Sequence, residues 1–313
     1  MSTPKHEKYR RLIEACEALP AMPTAVVHPC DESSLEGAMG AAKIGLIVPI
    51  LVGPPARILA TAAACGIDLS GVEIVHAEHS EAAAAAAVKL VREGRAEALM
   101  KGSLHTDELM GAVVRREIGL RTSRRVSHCF VMDVPGHPDV LIITDAAINI
   151  APTLEDKVDI LQNAIDLAHA LNFPEVRVAI LSAMETVNPK VPSTIEAAAL
   201  CKMVDRGQVT GAIVDGPLAL DNAIDLDAAR IKKIDSPVAG RANVLLVPDL
   251  EAGNMLAKSL SFLADADAAG IVLGARVPII LTSRADSELS RLASCAVAAM
   301  FAKARRQSTK VVG

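Results

Sequence analysis

The sequence predicts an α/β protein built as two lobes with a cleft, and three observations carry that expectation. Apolar runs of Val, Ile and Leu alternate with helix-like runs almost from end to end. Hydrophobic residues make up 51% of the chain but aromatic ones only 2%, so aliphatic side chains must build the core. Buried parallel strands use that palette. The length, 313 residues, exceeds one average domain and suits two.

The elements follow in order. TAVVHP (Thr24–Pro29) reads as a first strand, followed by Cys-Asp-Glu-Ser-Ser. Ser33 or Ser34 is the expected cap of the next helix, with Glu36 in its first turn. LIVPILVGPP (Leu46–Pro55) is a strand stopped by Gly-Pro-Pro, and VEIVHA (Val72–Ala77) is a third. Ser80 is expected to cap an alanine-rich helix that ends near Gly94. ALMKGS (Ala98–Ser103) is a fourth strand. HCFVMDV, VLIITDA, VRVAILSA, GAIVDGP, NVLLVPDL and PIILTSR continue the rhythm, with helices over Leu154–Leu171, Ser193–Val204 and Asn254–Ala264 between them. GLRTSRR (Gly119–Arg125) is the expected first boundary between lobes.

Composition excludes several classes. The net charge is −5, no basic stripe stands out and aromatic stacking platforms are scarce, so nucleic acid is not an expected partner. The six cysteines show no CxxC spacing, which argues against a zinc or redox motif. The start, MSTPKHEKYRR, is polar and charged, and no apolar run reaches the ~18 residues of a membrane span. The expectation is a cytoplasmic protein with reduced thiols and no membrane partner. GxGxxG at a strand-to-helix turn, GxxxxGK[ST], GxSxG and HExxH are absent, so nucleotide loops and common hydrolase motifs have no support.

Ligands of parallel α/β sheets bind beyond the carboxyl ends of the strands, so the polar turns there are the places to search. In LMKGSLHTDELM (Leu99–Met110), Lys101, Ser103, His105 and Thr106 gather with the Gly102 backbone and suit an oxyanion such as phosphate. An ordinary polar loop reads the same way. In VPDLEAGN (Val247–Asn254), Asp249 and Asn254 can orient a ligand and Gly253 permits close backbone approach, or Asp249 simply caps a helix. In LTSRADSE (Leu281–Glu288), Ser283 offers a hydroxyl, Arg284 a guanidinium fork and Asp286 and Glu288 carboxylates. The plain alternative is a helix cap by Asp286 or Ser287.

Together LMKGSLHTDELM, ITDAAINIAPTLEDK, AIVDGPLALDNAI, SPVAGRANVLLVPDLEAGNMLAKSL and GARVPIILTSRADS resemble the phosphate acetyl/butyryltransferase family. They cover most of the chain from Ala98 to Ser294, and DGPLALDNAI with LTSRADS leans towards the butyryl branch. The resemblance implies a fold like the isocitrate/isopropylmalate dehydrogenases: a discontinuous first lobe of 1–121 plus 277–313 and a second of 122–276. PIILTSR then belongs to the first lobe although last in sequence. The family's reaction is reversible acyl transfer between coenzyme A and inorganic phosphate. The implied partners are acyl-CoA, acetyl or butyryl, and phosphate, with coenzyme A as substrate, no bound cofactor, no metal and a homodimer. Asp249, Gly253 and Asn254 are expected to bind CoA or line the cleft, and Lys101, Ser103, His105 and Thr106 to bind phosphate or the acyl group. Ser283 and Arg284 match the serine-arginine donors of the acetyl enzymes.

Two positions depart from that pattern. Ser290 stands where the acetyl enzymes place an aspartate base, and Met110-Gly111-Ala112 where they carry a phosphate-binding arginine. Asp286 or Glu288 is the substitute base, and Lys101 or His105 the substitute cation; alternatively, positioning alone suffices, because a thiol of pKa about 8.5 is partly ionised near neutrality. Two rival functions stand beside this reading: a degenerate acyl-CoA-binding or regulatory protein, and a nicotinamide-dependent dehydrogenase on the same fold.

Overall fold

The computed structural model describes residues 6–283 and 286–311, without the side chains of the last four. In chain order its elements are α1 (Glu7–Glu14), β1 (Met22–Val27), α2 (Glu32–Lys43), β2 (Ile47–Gly53), α3 (Pro55–Cys65), β3 (Glu73–His76), α4 (Ser80–Arg92), β4 (Ala98–Lys101) and α5 (Thr106–Val113). There follow β5 (Ser127–Asp133), β6 (Leu141–Thr144), α6 (Leu154–Ala170), β7 (Arg177–Leu181), α7 (Pro192–Asp205), β8 (Ile213–Leu218), α8 (Leu220–Ile224) and α9 (Leu226–Ile231). The last are β9 (Val244–Leu246), α10 (Leu250–Leu263), β10 (Asp267–Leu273), β11 (Ile279–Ile280) and α11 (Glu288–Val311).

The chain divides into two compact units. One holds Tyr9–Arg124 together with the stretch from Ala269 onward, and the other holds Arg125–Ala268 with residues 6–8. The boundaries expected from sequence lay at 121 and 277; the strand β10, which the sequence reading did not pick out, precedes the second of these.

In the first unit the strands run β3-β2-β1-β4-β11-β10. All neighbours are parallel except β10 and β11. Val26, Val27, Leu51, Leu99, Met100, Ile279 and Ile280 are fully buried, as aliphatic runs covered on both faces should be. The register pairs Val27 with Lys101 and Ile280 with Met100. Parallel strands share a carboxyl edge, so the turns after β1, β4 and β11 emerge side by side. A late strand thus joins the early ones, and the LTS segment lies beside KGS.

In the other unit the order is β5-β6-β9-β7-β8, parallel but for β5 against β6. Its core includes Met132, Leu141, Ile143, Ala179, Leu245 and Val247, with Ala257 of α10 packed onto them.

Three helix starts differ from expectation. Asp31, not Ser33 or Ser34, caps α2: its carboxylate accepts from Ser34 N at 2.9 Å. His79 is the cap of α4, whose first residue is Ser80. α10 begins at Leu250 rather than Asn254, because Asp249 accepts from Ala252 N at 2.8 Å. In each case the side-chain acceptor nearest the first orphan N–H groups sets the start.

Candidate active site

The edge formed by β1, β4 and β11 is built around a glycine. A Cβ on Gly102 would stand 2.3 Å from Val27 O and 2.8 Å from His28 O, both backbone atoms, so only glycine lets β4 turn this close to β1. Gly102 N donates to Val27 O (2.9 Å) and Ser103 N to His28 O (2.9 Å), carrying the pairing one step past the strands. The Ser103 hydroxyl donates to His28 O at 2.9 Å and accepts from Cys30 N at 3.2 Å. His28 Nδ1 lies 3.2 Å from both Ser103 Oγ and Ser103 O.

The remaining predicted residues of this turn are placed as follows. Lys101 is half-buried at the end of β4, with its Nζ 3.3 Å from Gly102 O. His105 is exposed, and its backbone N donates to Glu108 Oε2 at 2.8 Å. Glu108 also accepts from Ser80 Oγ at 2.5 Å, and that hydrogen bond first holds its pKa below the usual value. Thr106 opens α5, where the helix's unsatisfied N–H groups begin. The Ser103 hydroxyl, by donating to His28 O, ties the turns after β1 and β4 together.

Beside this turn, Ser283 N donates to Asp286 Oδ2 at 2.6 Å, and Asp286 N donates back to Ser283 O at 3.2 Å. Ser287 Oγ accepts from Ser290 N at 3.1 Å and so caps α11, which leaves the Asp286 carboxylate for the turn. Burial raises the Asp286 pKa above 3.8, against opposing pulls from the Ser283 N–H, Arg291 and Lys101. Arg291 Nη1 donates to Asp286 O at 2.6 Å from a side chain only 9% exposed. Arg284, the expected guanidinium donor, lies outside the described residues. Glu288, the alternative carboxylate, is exposed.

Asp249, Gly253 and Asn254 belong to the other unit and have backbone tasks there. Asp249 caps α10. A Cβ on Gly253 would meet Asp145 O at 2.8 Å, so its absence lets α10 pack onto the turn after β6, where Asn254 Nδ2 reaches Ala146 O at 3.2 Å. Asp145, buried in that turn, accepts from His128 N, Ala147 N, Ile148 N and Asn149 Nδ2.

Sequence reasoning missed His28 and Arg291. The first had a signal, since HPCDE is a polar turn at a strand's carboxyl end; the second had none, because an arginine in the first turn of a helix reads as solvated. A cavity of about 470 Å³ lies elsewhere, between α4 and α5, lined by Ala85, Val88, Arg92, Ala112, Arg115 and Ile118. Lys89 and Arg92 sit there in the last turn of α4, where they complement the helix dipole. The strand-end chemistry is not in it. Among the described residues no group of three or more His, Cys, Asp and Glu is arranged to hold a metal. Among them, too, no helix is long and apolar enough to cross a membrane.

The turns after these strands gather a lysine, an imidazole, a half-buried carboxylate and a helix N-terminus, groups suited to binding an anion and accepting a proton. Comparison with known proteins carries this to a family. The family described as Phosphate acetyl/butaryl transferase matches residues 81–299. A phosphate acetyltransferase of Rhizobium meliloti is 67% identical over 97% of this chain and 96% of its own. A phosphate butyryltransferase of Clostridium acetobutylicum is 41% identical over 89% of this chain and 92% of its own. The crystal structure of a branched-chain phosphotransacylase from Enterococcus faecalis superposes with a TM-score of 0.78 at 30% identity, covering 90% of this chain and 99% of that one. The chain belongs to the phosphate acetyl/butyryltransferase family.

Proposed function

We propose that the protein is a phosphate acyltransferase that reversibly exchanges a short acyl group, acetyl first, between coenzyme A and inorganic phosphate. The single observation that carries this reading is full-length identity of 67% to a protein named phosphate acetyltransferase. The strand-end site supports it.

In the direction of acyl-CoA synthesis, the CoA sulfur attacks the acyl phosphate carbonyl. The C–S bond forms, the bond from carbon to the phosphate oxygen breaks, and the thiol proton passes to a base. Asp286 is that base in this reading: burial raises its pKa, which brings a carboxylate closer to the thiol it must deprotonate. Lys101, His105 and the first N–H groups of α5 hold the phosphate, and Ser283 with Arg284 supplies donors to the developing oxyanion. Asp249, Gly253 and Asn254 contribute to CoA binding indirectly, by fixing α10 against its neighbouring turn.

The finer fold reading, two lobes of the isocitrate/isopropylmalate dehydrogenase kind, belongs to this proposal, as does a cytoplasmic location. So does a homodimer. Met255, Phe262 and Leu263 are 62%, 79% and 86% exposed, and their spacing puts them on one face of α10, an apolar surface that a second copy would cover.

Thiol release from acetyl-, propionyl- and butyryl-CoA, each with and without phosphate, tests the function. Phosphate-dependent release, fastest with acetyl-CoA, is expected. Binding of acyl-CoA without turnover would favour a binding protein instead. In the same assay Arg284→Ala should lower the rate by about 10²–10³, the usual cost of one preorganised oxyanion donor.

A further inference from the structure

The hydrogen-bond geometry around Ser103 fixes the tautomer of His28. Ser103 Oγ has one hydrogen, and its 2.9 Å contact to a carbonyl oxygen, His28 O, consumes it. Ser103 O is an acceptor only. The imidazole nitrogen 3.2 Å from both atoms must therefore be the donor, so Nδ1 carries hydrogen whether or not the ring is charged. The contact spans 75 residues of sequence and joins the turn after β1 to the turn after β4. His28 is 5% exposed, and its backbone lies in the left-handed region with φ 54°. Histidine, asparagine and aspartate are the non-glycine residues most often found there. A strained backbone and a buried ring are thus spent on one hydrogen-bond donor, aimed at the turn whose Lys101 and Thr106 flank it.

We infer that His28 is a positioning residue for phosphate: its Nδ1–H, through Ser103, sets the Lys101–Thr106 turn in the conformation that receives the anion. This rests on the reading of that turn as the phosphate site. His28 touches no reacting atom; its task is to keep the Lys101 ammonium and the start of α5 in register with the β11 turn.

The test compares His28→Gly with His28→Asn. Both residues tolerate φ near 54°. Only asparagine restores an N–H near the position of Nδ1. In the phosphate-dependent thiol-release assay, His28→Gly should raise KM for phosphate roughly five- to tenfold, the worth of one net hydrogen bond, with KM for acetyl-CoA little changed. His28→Asn should recover most of that loss. Lys101→Met, run in parallel, checks the underlying site. If Lys101→Met raises the phosphate KM and His28→Gly does not, the inference is overturned while the site stands. If neither does, the turn is not the phosphate site and both readings fall. A lowered thermal midpoint with an unmoved phosphate KM would make His28 merely structural and would also overturn the inference. Should His28→Gly not accumulate, Ser103→Ala, which removes the hydroxyl that Nδ1 meets and leaves the left-handed backbone at residue 28 unchanged, carries the comparison.

Discussion

Substituting Gly102 tests whether the close approach of β1 and β4 builds the site. An alanine Cβ there would stand 2.3 Å from Val27 O, and ordinary contact begins near 3.4 Å, so the turn must move by about an ångström. The neighbouring atom is backbone and cannot rotate away. The movement breaks the 2.9 Å bond from Gly102 N to Val27 O and weakens those of Ser103, leaving buried groups unpaired at a cost of about 1–3 kcal/mol each. A displacement of about 1 Å in a positioning element costs on the order of 10² in rate. Gly102→Ala should therefore lower phosphate-dependent thiol release about a hundredfold and lower the thermal midpoint. Gly111→Ala is the control: its Cβ meets nothing within 4 Å, and the position is exposed on α5. It should gain up to about 1 kcal/mol of stability from helix propensity and keep its activity. Wild-type rate and midpoint in Gly102→Ala would refute the reasoning.

Further outcomes follow from single residues. Asp286→Asn should depress turnover most below the thiol pKa of about 8.5 and matter less as the solution itself ionises the thiol; a uniform loss across pH would argue against a base. Burial pushes the His128 pKa down to about 4 from 6.5, so the unfolded chain binds a proton that the fold refuses between those values. Its contribution is intact above pH 6.5 and is lost as pH falls towards 4, by roughly 3 kcal/mol in total. Since Nδ1 has no hydrogen-bond partner among the described residues, His128→Phe should match wild-type stability at neutral pH and show a shallower acid transition by denaturant titration. Asp249→Ala should cost about 1 kcal/mol in the same titration through loss of the α10 cap.

The strand-helix rhythm was legible because buried parallel strands leave Val, Ile and Leu runs that nothing else in the chain imitates. VEIVHA and ALMKGS fall on β3 and β4, and PIILTSR contains β11. DAAGIVL, the segment of β10, was missed: its small residues lack the β-branched density of the other strands. Helix starts shifted by a few residues because competing Ser and Asp caps lie together, as in CDESS, and only backbone geometry chooses between them. Ser103 was legible as a strand-end hydroxyl, but the commitment of its hydrogen to His28 was not, since that pairing depends on register between segments 75 residues apart. Arg291 was invisible for the same reason: nothing local predicts that Gly37 of α2 clears space for its side chain, though a Cβ there would lie 2.8 Å from Arg291 Cδ.

The central claim is that this chain moves an acetyl group between sulfur and phosphate. The most direct measurement supplies acetyl phosphate and CoA to the purified protein, in the presence of a chelator, and follows thiol disappearance with acetyl-CoA and phosphate formation. The account predicts that thiol lost, acetyl-CoA formed and phosphate released agree one for one, and that added phosphate drives the reaction back. Phosphate release without thioester formation, or no consumption of thiol at high enzyme concentration, would contradict it.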